Sequence, residues 1–460
     1  AARGIFVNYS NGDFDIDIED NTIFDNGQEG IYIGNSTVRI FDIFNNSITE
    51  NGYDGISVNN STATGVSGDF AFINIDNNTI ADNGYYGVEA INSTLSVTAN
   101  EIFGHNYPYD GIYLDGDSFL NSTVAPNSPT PPDNNIHDND LNVIIIGGTL
   151  SQAAAWSSGT YVVDNLTVAS TGSLTLAAGV VVKFRQYGWM TINGSLVASG
   201  TTLDPIYFTS LQDDTADGED TNADGPSVGA PGDWYYLYFD AGSSNNLLDN
   251  VVVSYGGGYG SYGSVYIATS SMTVENSTIT QGNGHGIRLQ ASSGDGTVRI
   301  IDNDITGHAA RGIFVNYSNG DFDIDIEDNT IAGNGQEGIY IGNSTVRTFD
   351  IINNSITENG LDGIEVYYST ASGVNGDFAF VNIDNNTIAD NGEYGIRAVS
   401  STLSVTANEI YNHPYPYDGI YLDGDSFLNS TVAPNSPTPP DNNIYDNDLN
   451  VIIIGGSLSQ

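Results

Sequence analysis

The segment NTIFDNGQEGIYIGNSTVRIFDIFNNSITENGYDGIS, residues 21–57, contains two successive copies of one short pattern. An Asn-x-Ile step begins at Asn21, and a Gly-Ile pair follows nine residues later at Gly30. The same step and pair return at Asn46 and Gly55, in both cases 25 residues further on. A repeat with a period between 20 and 50 residues is typical of a solenoid or a propeller.

Each period contains three short stretches in which apolar and polar residues alternate. Alternation with period two in pieces this short predicts strands with one face inward. Three strands and three turns in about 25 residues form one coil of a parallel β-helix, whereas a propeller blade needs four strands in about 40–45 residues. The sequence therefore predicts an all-β fold, a right-handed single-stranded parallel β-helix (solenoid), with three short strands per coil. In the first period the apolar members are Ile5, Val7, Phe14, Ile16, Ile18 and Ile23.

The Asn of the Asn-x-Ile step is predicted to lie at a corner of the coil. Its amide could bond there to the matching Asn of adjacent coils, or it could hold a left-handed turn that β-branched residues resist. Both roles are structural, and we favour them over a role in binding a ligand. The positions concerned are Asn21, Asn46, Asn78 and Asn100.

A second, larger repeat is superimposed on the first. Residues 1–152 return as residues 309–460 with an offset of 308, no gap and few changes. The segment between the copies, 153–308, has a distinct sequence. We interpret 153–460 as one complete β-helix module of 308 residues with 153–308 as its opening part, and 1–152 as the C-terminal part of a preceding module.

Residues 165–210 read NLTVASTGSLTLAAGVVVKFRQYGWMTINGSLVASGTTLDPIYFTS. This run resembles the opening of secreted β-helix proteins. The Gly-Ile and Asn-x-Ile coils resemble the right-handed parallel β-helix repeat family, which includes pectate lyases, periplasmic copper-maturation proteins and many tandem-repeat surface proteins. The resemblance covers nearly the whole chain and implies the fold, but it leaves the activity open.

The composition restricts the possible partners. The net charge is -48, from 57 acidic and nine basic residues, which argues against nucleic acid because phosphate binding needs many cations. No apolar run is long enough for a membrane span. The terminal coils carry no evident cap. We therefore expect contacts with copies of the same chain, end to end or lateral, and we keep glycans as a further partner.

Asn-x-Ser/Thr sequons are dense on the predicted turn surface, which favours an extracellular or cell-surface glycoprotein. The chain has no Cys, which excludes disulfides and thiolate metal sites. The glycosylation candidates are Asn8, Asn35, Asn45, Asn77, Asn92, Asn121, Asn165, Asn193, Asn276, Asn316, Asn343, Asn353, Asn385 and Asn429.

An acidic loop, DDTADGEDTNADG at 213–225, is the strongest candidate metal site. It contains the D-x-N-x-D-G core of calcium loops, in which alternate oxygens point at one centre and Gly permits the sharp turn. No Glu stands at position twelve, so the loop is not an EF-hand. We expect structural calcium here; the Asp pair of the repeated YLDGDS segment is a weaker candidate. The predicted ligands are Asp213, Asp214, Asp217, Asp220, Asn222 and Asp224.

Two features could suggest catalysis, and both have a simpler interpretation. Lys183 and Arg185 are the only clustered bases, but they lie on the outward side of a strand and are predicted to be a solvated pair. Gly284-His285-Gly286 matches an element of galacturonan hydrolases of this fold, but it falls on a coil corner. We therefore expect no enzymatic activity.

The preferred interpretation is a structural component of an extracellular filament, sheath or surface layer, built from tandem β-helix modules, stabilised by calcium and glycosylated. Near-identical modules supply repeated, equivalent contacts, which suit a fibre more than a catalyst. The alternatives are a carbohydrate-binding adhesin or stalk and, less favoured, a polysaccharide lyase or glycoside hydrolase.

Overall fold

The computed structural model contains two compact units, and each is described by itself. Unit 1 comprises Ala1–Gly188 and Leu211–Val228, and unit 2 comprises Trp189–Ser210 and Gly229–Gln460. The residues that the structure describes are 2–65, 72–105, 111–120, 134–139, 144–218, 220–222, 225–259, 262–373, 380–414, 416–417, 419–423, 425–428, 442–448 and 452–455.

Unit 1 is a parallel β-helix whose coils stack through three sheets. Sheet 1 contains β1, β4, β7, β11, β14, β17 and β19; sheet 2 contains β2, β5, β9, β12 and β15; sheet 3 contains β3, β6, β10, β13 and β16. The strands are β1 (Ile5–Asn8), β2 (Asn11–Glu19), β3 (Thr22–Phe24), β4 (Ile31–Gly34), β5 (Thr37–Phe44), β6 (Ser47–Thr49), β7 (Ile56–Asn59), β8 (Thr62–Ala63), β9 (Ile73–Asp76), β10 (Thr79–Ala81), β11 (Val88–Ile91), β12 (Thr94–Thr98), β13 (Glu101–Phe103), β14 (Ile112–Asp115), β15 (Phe119–Leu120), β16 (Asn135–His137), β17 (Ile144–Leu150), β18 (Ala153–Trp156), β19 (Gly159–Val168), β20 (Ser173–Leu176) and the first part of β21 (Val180–Ile192).

Unit 2 has the same three-sheet organisation. Sheet 1 runs from the last part of β21 through β24, β27, β30, β33, β36, β40, β44 and β47 to β50, and sheets 2 and 3 alternate with it along the chain. The strands are β22 (Ser195–Ser199), β23 (Ile206–Ser210), β24 (Leu237–Phe239), β25 (Asn246–Asp249), β26 (Val251–Ser254), β27 (Gly263–Ile267), β28 (Met272–Glu275), β29 (Thr278–Thr280), β30 (His285–Leu289), β31 (Thr297–Ile301), β32 (Asp304–Thr306), β33 (Ile313–Asn316), β34 (Asp323–Glu327), β35 (Thr330–Ala332), β36 (Ile339–Gly342), β37 (Thr345–Val346), β38 (Thr348–Ile352), β39 (Ser355–Thr357), β40 (Ile364–Tyr367), β41 (Thr370–Ala371), β42 (Val381–Asp384), β43 (Thr387–Ala389), β44 (Ile396–Val399), β45 (Thr402–Thr406), β46 (Glu409–Tyr411), β47 (Ile420–Asp423), β48 (Phe427–Leu428), β49 (Asn443–Tyr445) and β50 (Ile452–Gly455).

The core of each unit consists of the inward residues of these strands. In the second coil of unit 1, Ile31 and Ile33 of β4, Phe41 and Ile43 of β5 and Ile48 of β6 are fully buried. Each such side chain contributes about 1.5–3 kcal/mol through removal of apolar surface from water. Three short parallel strands per coil with alternate residues inward confirm the predicted fold class.

The Gly-Ile pair recurs because adjacent coils meet closely at that point. A Cβ atom on Gly30 would lie 2.6 Å from Cγ2 of Ile48 and 2.8 Å from the carbonyl oxygen of Gly55. Both distances are too short for a Cβ atom. The contact with the Gly55 carbonyl is to backbone, which cannot easily move aside. The glycine is therefore required by the stacking itself.

The four predicted corner asparagines lie in one hydrogen-bonded column, which we call the first ladder. The backbone N–H of Asn46 and its Nδ2 both donate to Oδ1 of Asn78, at 2.9 and 3.0 Å. Asn78 repeats the arrangement toward Asn100, and Asn21 toward Asn46. Asn46, Asn78 and Asn100 are buried, so the ladder satisfies amides that have left water. Unit 2 carries the same ladder at Asn303, Asn329, Asn354, Asn386 and Asn408.

A second ladder occupies another corner, at the Asn of the Asn-Gly turns. Asn51 donates from N and Nδ2 to Oδ1 of Asn83 at 3.1 and 2.9 Å. Histidine is a member of this ladder too: in unit 2, N of His308 donates to Oδ1 of Asn334 at 3.1 Å. Burial lowers the pKa of His308 to about 4, so this member is neutral at neutral pH.

A third ladder is built from serine. Ser36 N donates to Oγ of Ser61 at 3.0 Å, and Ser61 N donates to Oγ of Ser93 at 3.1 Å. Ser318, Ser344, Ser369 and Ser401 form the same column in unit 2. Each corner of the coil therefore holds its own column of buried polar side chains.

The compact units do not share a boundary with the sequence repeat. Residues 153–188 lie in unit 1, although the sequence repeat changes at residue 153. Compactness and sequence repetition need not coincide in a stack of coils, so the assignment of modules stays a prediction. In the described ranges, no helix has the length and apolar character needed to cross a membrane.

Candidate functional site

The acidic loop lies in unit 1, where it contacts Lys183 of β21. Nζ of Lys183 is 2.9 Å from Oδ1 of Asp217 and donates to Oγ1 of Thr221 at 2.7 Å. The second oxygen of Asp217 accepts a hydrogen bond from Thr160 at 2.6 Å. Lys183 is fully buried and the side chain of Asp217 is nearly so. The loop is thus held to the strand by a buried ion pair.

The prediction that Lys183 is solvated is wrong. The period-two pattern correctly turns this residue away from the core, but the loop covers the outward face at this position. A buried ammonium must be paired to be tolerated. Asp217, predicted as a metal ligand, provides that pairing.

The other described carboxylates of the loop accept hydrogen bonds from different parts of it. Asp213 accepts from N and Oγ1 of Thr215, Asp214 from N of Ser227 at 2.7 Å, and Asp220 from N of Gly225 at 3.0 Å. Asp224 lies outside the described residues, and Asn222 has an interaction partner in the structure. In the part of the chain that the structure describes, no group of three or more His, Asp or Glu is placed to hold a metal ion.

One observation in the loop still fits a cation. Oδ1 of Asp214 is buried and accepts no hydrogen bond in the structure. A carboxylate oxygen in that position is costly unless something positive approaches it, and calcium prefers such hard oxygen ligands. Calcium binding in this loop therefore stays a prediction that requires some rearrangement of its carboxylates.

We expect calcium to raise the melting temperature and a chelator to lower it. At a concentration 100 times its dissociation constant, a ligand specific for the folded state adds about 2.7 kcal/mol. Calorimetry with calcium, with magnesium and with chelator measures the effect, and Asp214→Asn should remove most of it. Identical melting in all three conditions would rule calcium out.

The weaker calcium candidate has a structural partner instead. Oδ1 of Asp115 accepts hydrogen bonds from N of Asn92 at 2.9 Å and from Oγ of Ser118 at 2.6 Å. Asp117 accepts from N of Ser151 at 2.6 Å. Both carboxylates hold the backbone of a coil corner.

Outward aromatic side chains of sheet 1 in unit 2 form a continuous patch, which we call the tyrosine surface. The ring centroids of Tyr236 and Tyr262 are 5.2 Å apart, and those of Tyr238 and Tyr266 are 4.9 Å apart. Most of these rings are half buried, and Tyr259 is 51% exposed. The members are Trp189, Tyr235, Tyr236, Tyr238, Tyr259, Tyr262 and Tyr266.

Arginine extends the tyrosine surface along the same sheet. The guanidinium of Arg288 lies 4.8 Å from the ring of Tyr266 and 5.7 Å from that of Phe314. Arg311 continues the stack, at 4.9 Å from Phe314 and 4.5 Å from Tyr340. Sequence analysis could identify single outward tyrosines but not this patch, because its members come from separate coils.

The two sequence copies differ at one pair of contacting residues on sheet 1 of each unit. In unit 1 Oγ of Ser57 donates to Oε2 of Glu89 at 2.9 Å. At the equivalent positions of unit 2, Arg397 donates to Glu365 at 2.9 Å. Both copies keep a contact between neighbouring coils, but the charge of this face differs between them.

Comparison with protein families identifies the fold. The family model described as "Right handed beta helix region" matches residues 3–197 and 311–457, which is more than half of the chain. The chain belongs to this β-helix family. A second model, "Periplasmic copper-binding protein (NosD)", matches residues 190–376.

Comparison with individual proteins adds little to the family assignment. No curated protein matches the chain. The crystal structure of the Dettilon tailspike protein (gp208) is similar at 14% sequence identity, with 80% of this chain and 62% of that chain covered and a TM-score of 0.24. The chain thus spans less than two thirds of that tailspike, and a TM-score this low supports no comparison of function.

His285, from the Gly-His-Gly motif that resembles an element of hydrolases with the β-helix fold, is the first residue of β30. Its ring is buried and stacks on Phe314 with centroids 4.4 Å apart, and its Nδ1 accepts from N of Arg311. Burial, helped by the charge of Arg311, lowers the pKa of His285 to about 3. A ring held neutral in this way is not poised to donate a proton at neutral pH.

Several sequons of this β-helix lie at its corners. Asn45, Asn77, Asn353 and Asn385 have positive φ between 55° and 60°, and each precedes a buried member of the first ladder. The Asn-Asn-Ser/Thr pattern therefore follows from corner geometry, whether or not glycans are attached. Glycans on adjacent coils, about 4.8 Å apart, would crowd one another.

The predicted glycosylation positions differ in exposure. Asn45, Asn77, Asn92, Asn165, Asn276, Asn353 and Asn385 are exposed, whereas Asn8, Asn35, Asn193, Asn316 and Asn343 are half buried. Asn121 and Asn429 lie outside the described residues.

Proposed function

We propose that the chain is a structural component of an extracellular filament, sheath or surface layer built from tandem β-helix modules. Its partners are copies of itself, calcium stabilises it, and exposed sequons carry glycans. The match to a family named for a periplasmic protein supports a location outside the cytoplasm. We propose no catalytic role.

One observation carries this proposal: both sequence copies form the same coils with the same backbone register. Ile5 pairs with Ile31 in unit 1, and Ile313 pairs with Ile339 in unit 2, each in the register expected from the offset of 308. Coils of the same geometry present equivalent surfaces that differ only at the substituted positions. Repeated equivalent surfaces are what an extended assembly needs for equivalent contacts.

The residues that suggested catalysis support this assignment. Lys183 is buried in an ion pair, and His285 is buried at the start of β30. Copper, which the second family name mentions, would need several ligands together, and the described residues contain no such group.

Imaging of the purified chain tests the assembly. We expect negative-stain micrographs to show uniform fibres or a regular lattice at high protein concentration with calcium, because divalent ions screen the net charge of -48. Sedimentation should show matching growth in mass. A single monomeric species at every concentration and calcium level would contradict the proposal.

Carbohydrate binding is the second candidate, and the tyrosine surface favours it. The half-buried tyrosine rings of this surface offer apolar faces for sugar rings together with hydroxyls for hydrogen bonds. A saturable signal on a glycan array from a monomeric sample that forms no fibres would favour this candidate over the first. Turnover of a uronate polymer would instead favour an enzyme.

A further inference from the structure

Two pairs of tyrosine rings from neighbouring coils stack with nearly parallel planes, at interplanar angles of 4° and 11°. In unit 1 the ring centroids of Tyr53 and Tyr85 are 4.8 Å apart with an interplanar angle of 4°. In unit 2 those of Tyr411 and Tyr445 are 4.9 Å apart at 11°. Backbone pairing fixes each juxtaposition, since N of Tyr85 donates to the carbonyl of Tyr53, and Tyr411 is opposite Tyr445 in β46 and β49.

These rings are accessible enough to react. Tyr53 is 37% exposed, and Tyr85, Tyr411 and Tyr445 are half buried. Each ring therefore presents an edge to solvent while one face contacts its partner. Exposed side chains rotate on the picosecond to nanosecond timescale, and movement of the solvent-facing part of each ring brings ring carbons from stacking to bonding distance.

The pair in unit 2 also has a proton acceptor. The hydroxyl of Tyr445 donates to Oε1 of Glu409 at 2.7 Å. This hydrogen bond raises the pKa of Tyr445 to about 12, so the phenol keeps its proton at neutral pH. When an electron leaves the ring, the phenol becomes strongly acidic and Glu409 is in place to take the proton.

The composition leaves few other covalent cross-links. The chain has no Cys, and its one Lys, Lys183, is buried in the ion pair with Asp217. It has 28 Tyr. An extracellular chain of this composition can be joined covalently through tyrosine but not through disulfides.

We propose that Tyr53–Tyr85 and Tyr411–Tyr445 are sites of oxidative cross-linking, at which hydrogen peroxide and a peroxidase-type enzyme convert each pair to dityrosine. Each phenol loses one electron and one proton, and the two phenoxyl radicals form a carbon–carbon bond between ring positions next to the hydroxyls. The two hydrogens at these carbons then move to the oxygens and restore both phenols. Peroxide takes up the two electrons and two protons and becomes two molecules of water.

Stacking determines which tyrosines couple. Two radicals on neighbouring coils meet at a high effective concentration, whereas isolated exposed tyrosines must encounter another chain. Tyr9 and Tyr317, at 72% and 57% exposure, are more accessible to the oxidant but belong to neither pair. If ring stacking selects the reacting tyrosines, the products are links within the two pairs. If exposure selects them, the products are at Tyr9 and Tyr317.

Each pair has a natural control in the other sequence copy. The positions of Tyr411 and Tyr445 are occupied in unit 1 by Phe103 and His137, which stack with centroids 5.0 Å apart. The double variant Tyr411→Phe/Tyr445→His thus introduces a pair that the same fold already accommodates. Likewise Tyr53→Leu/Tyr85→Glu introduces the residues found at 361 and 393.

The test treats a dilute solution of the 460-residue chain with peroxide and a peroxidase and maps the products by proteolysis and mass spectrometry. We expect linked peptides for both pairs, each lighter than the sum of its two peptides by two hydrogen atoms. Each double variant should lose its own link and keep the other. Circular dichroism of the variants verifies that they fold.

The outcomes separate clearly. Oxidation concentrated at Tyr9 and Tyr317, links only between different chains, or no links at all would each overturn the proposal. Loss of both links in a single folded double variant would do so too. Because both rings of each pair belong to one chain, the expected links do not depend on whether the chain assembles into fibres.

Discussion

Replacing Asp217 with Ala is expected to lower the free energy of unfolding by about 3–5 kcal/mol, the usual cost of breaking a buried ion pair from one side. Lys183 is fully buried, and Asp217 lies 2.9 Å from its Nζ. Removal of the carboxylate leaves an ammonium in a site that cannot hydrate it. The folded state must then open the loop or release the proton, and either is costly.

Urea unfolding followed by circular dichroism measures this loss. The double variant Lys183→Met/Asp217→Leu should recover most of it, because well-packed apolar residues often replace a buried ion pair at little cost. Asp204→Ala, at an exposed carboxylate, is the control and should change stability by less than about 0.5 kcal/mol. A loss for Asp217→Ala within that control range would mean that the loop does not depend on this ion pair.

Replacing Asn354 with Leu is expected to cost about 3 kcal/mol or more, since several buried groups lose partners at about 1–3 kcal/mol each. Oδ1 of Asn354 accepts from N and Nδ2 of Asn329, and its Nδ2 donates to the carbonyl of Ile326 at 2.8 Å and to Oδ1 of Asn386 at 3.0 Å. Leucine has a similar volume but can make none of these hydrogen bonds. The column is therefore interrupted in its middle.

The neighbouring residue supplies the control. Asn353 is exposed with a φ of 60°, so Asn353→Gly keeps the left-handed corner and should cost only a few tenths of a kcal/mol. Thermal and urea unfolding of both variants give the comparison. Equal losses at positions 353 and 354 would show that backbone conformation, rather than the buried amide, stabilises this corner.

The β-helix fold could be predicted from the sequence because the determinants of this fold are local and repeated. The period of about 25 residues, the alternation within strands and the close-contact glycines such as Gly30 are all visible in the letters. The first ladder was also foreseeable, since an Asn that returns at the same place in every coil must meet its own copies. Stacking converts a sequence period directly into contact.

The other polar columns were missed for a definite reason. Asn51 and Asn83 precede glycine and look like ordinary turn residues, and Ser36 and Ser61 lie within sequons. A pattern does not reveal whether a corner side chain points to water or into the coil. Burial decided this, and it is a property of the stacked coils.

The prediction that Lys183 is solvated was wrong for another reason. Its strand pattern shows which way the side chain points, but not that a segment more than 30 residues later covers that side. Among the described residues, the predicted calcium ligands do not form a metal-binding group, for the same kind of reason. Asp217 found a cation already present in the chain, and a spacing motif cannot detect such competition.

The side-chain ladders have a direction along the stack of coils. In every described step of the first ladder, the N–H belongs to the earlier coil and the accepting oxygen to the later one, as from Asn46 to Asn78 and from Asn354 to Asn386. Serine follows the same rule from Ser36 to Ser61. The side-chain oxygens at the corners therefore accept from the earlier coil only, whereas the Nδ2 groups donate in both directions, as from Asn354 to Ile326 and to Asn386, so the two sides of a coil are not equivalent. Copies that stack coil on coil can match only head to tail, which gives a polar fibre that grows without closing.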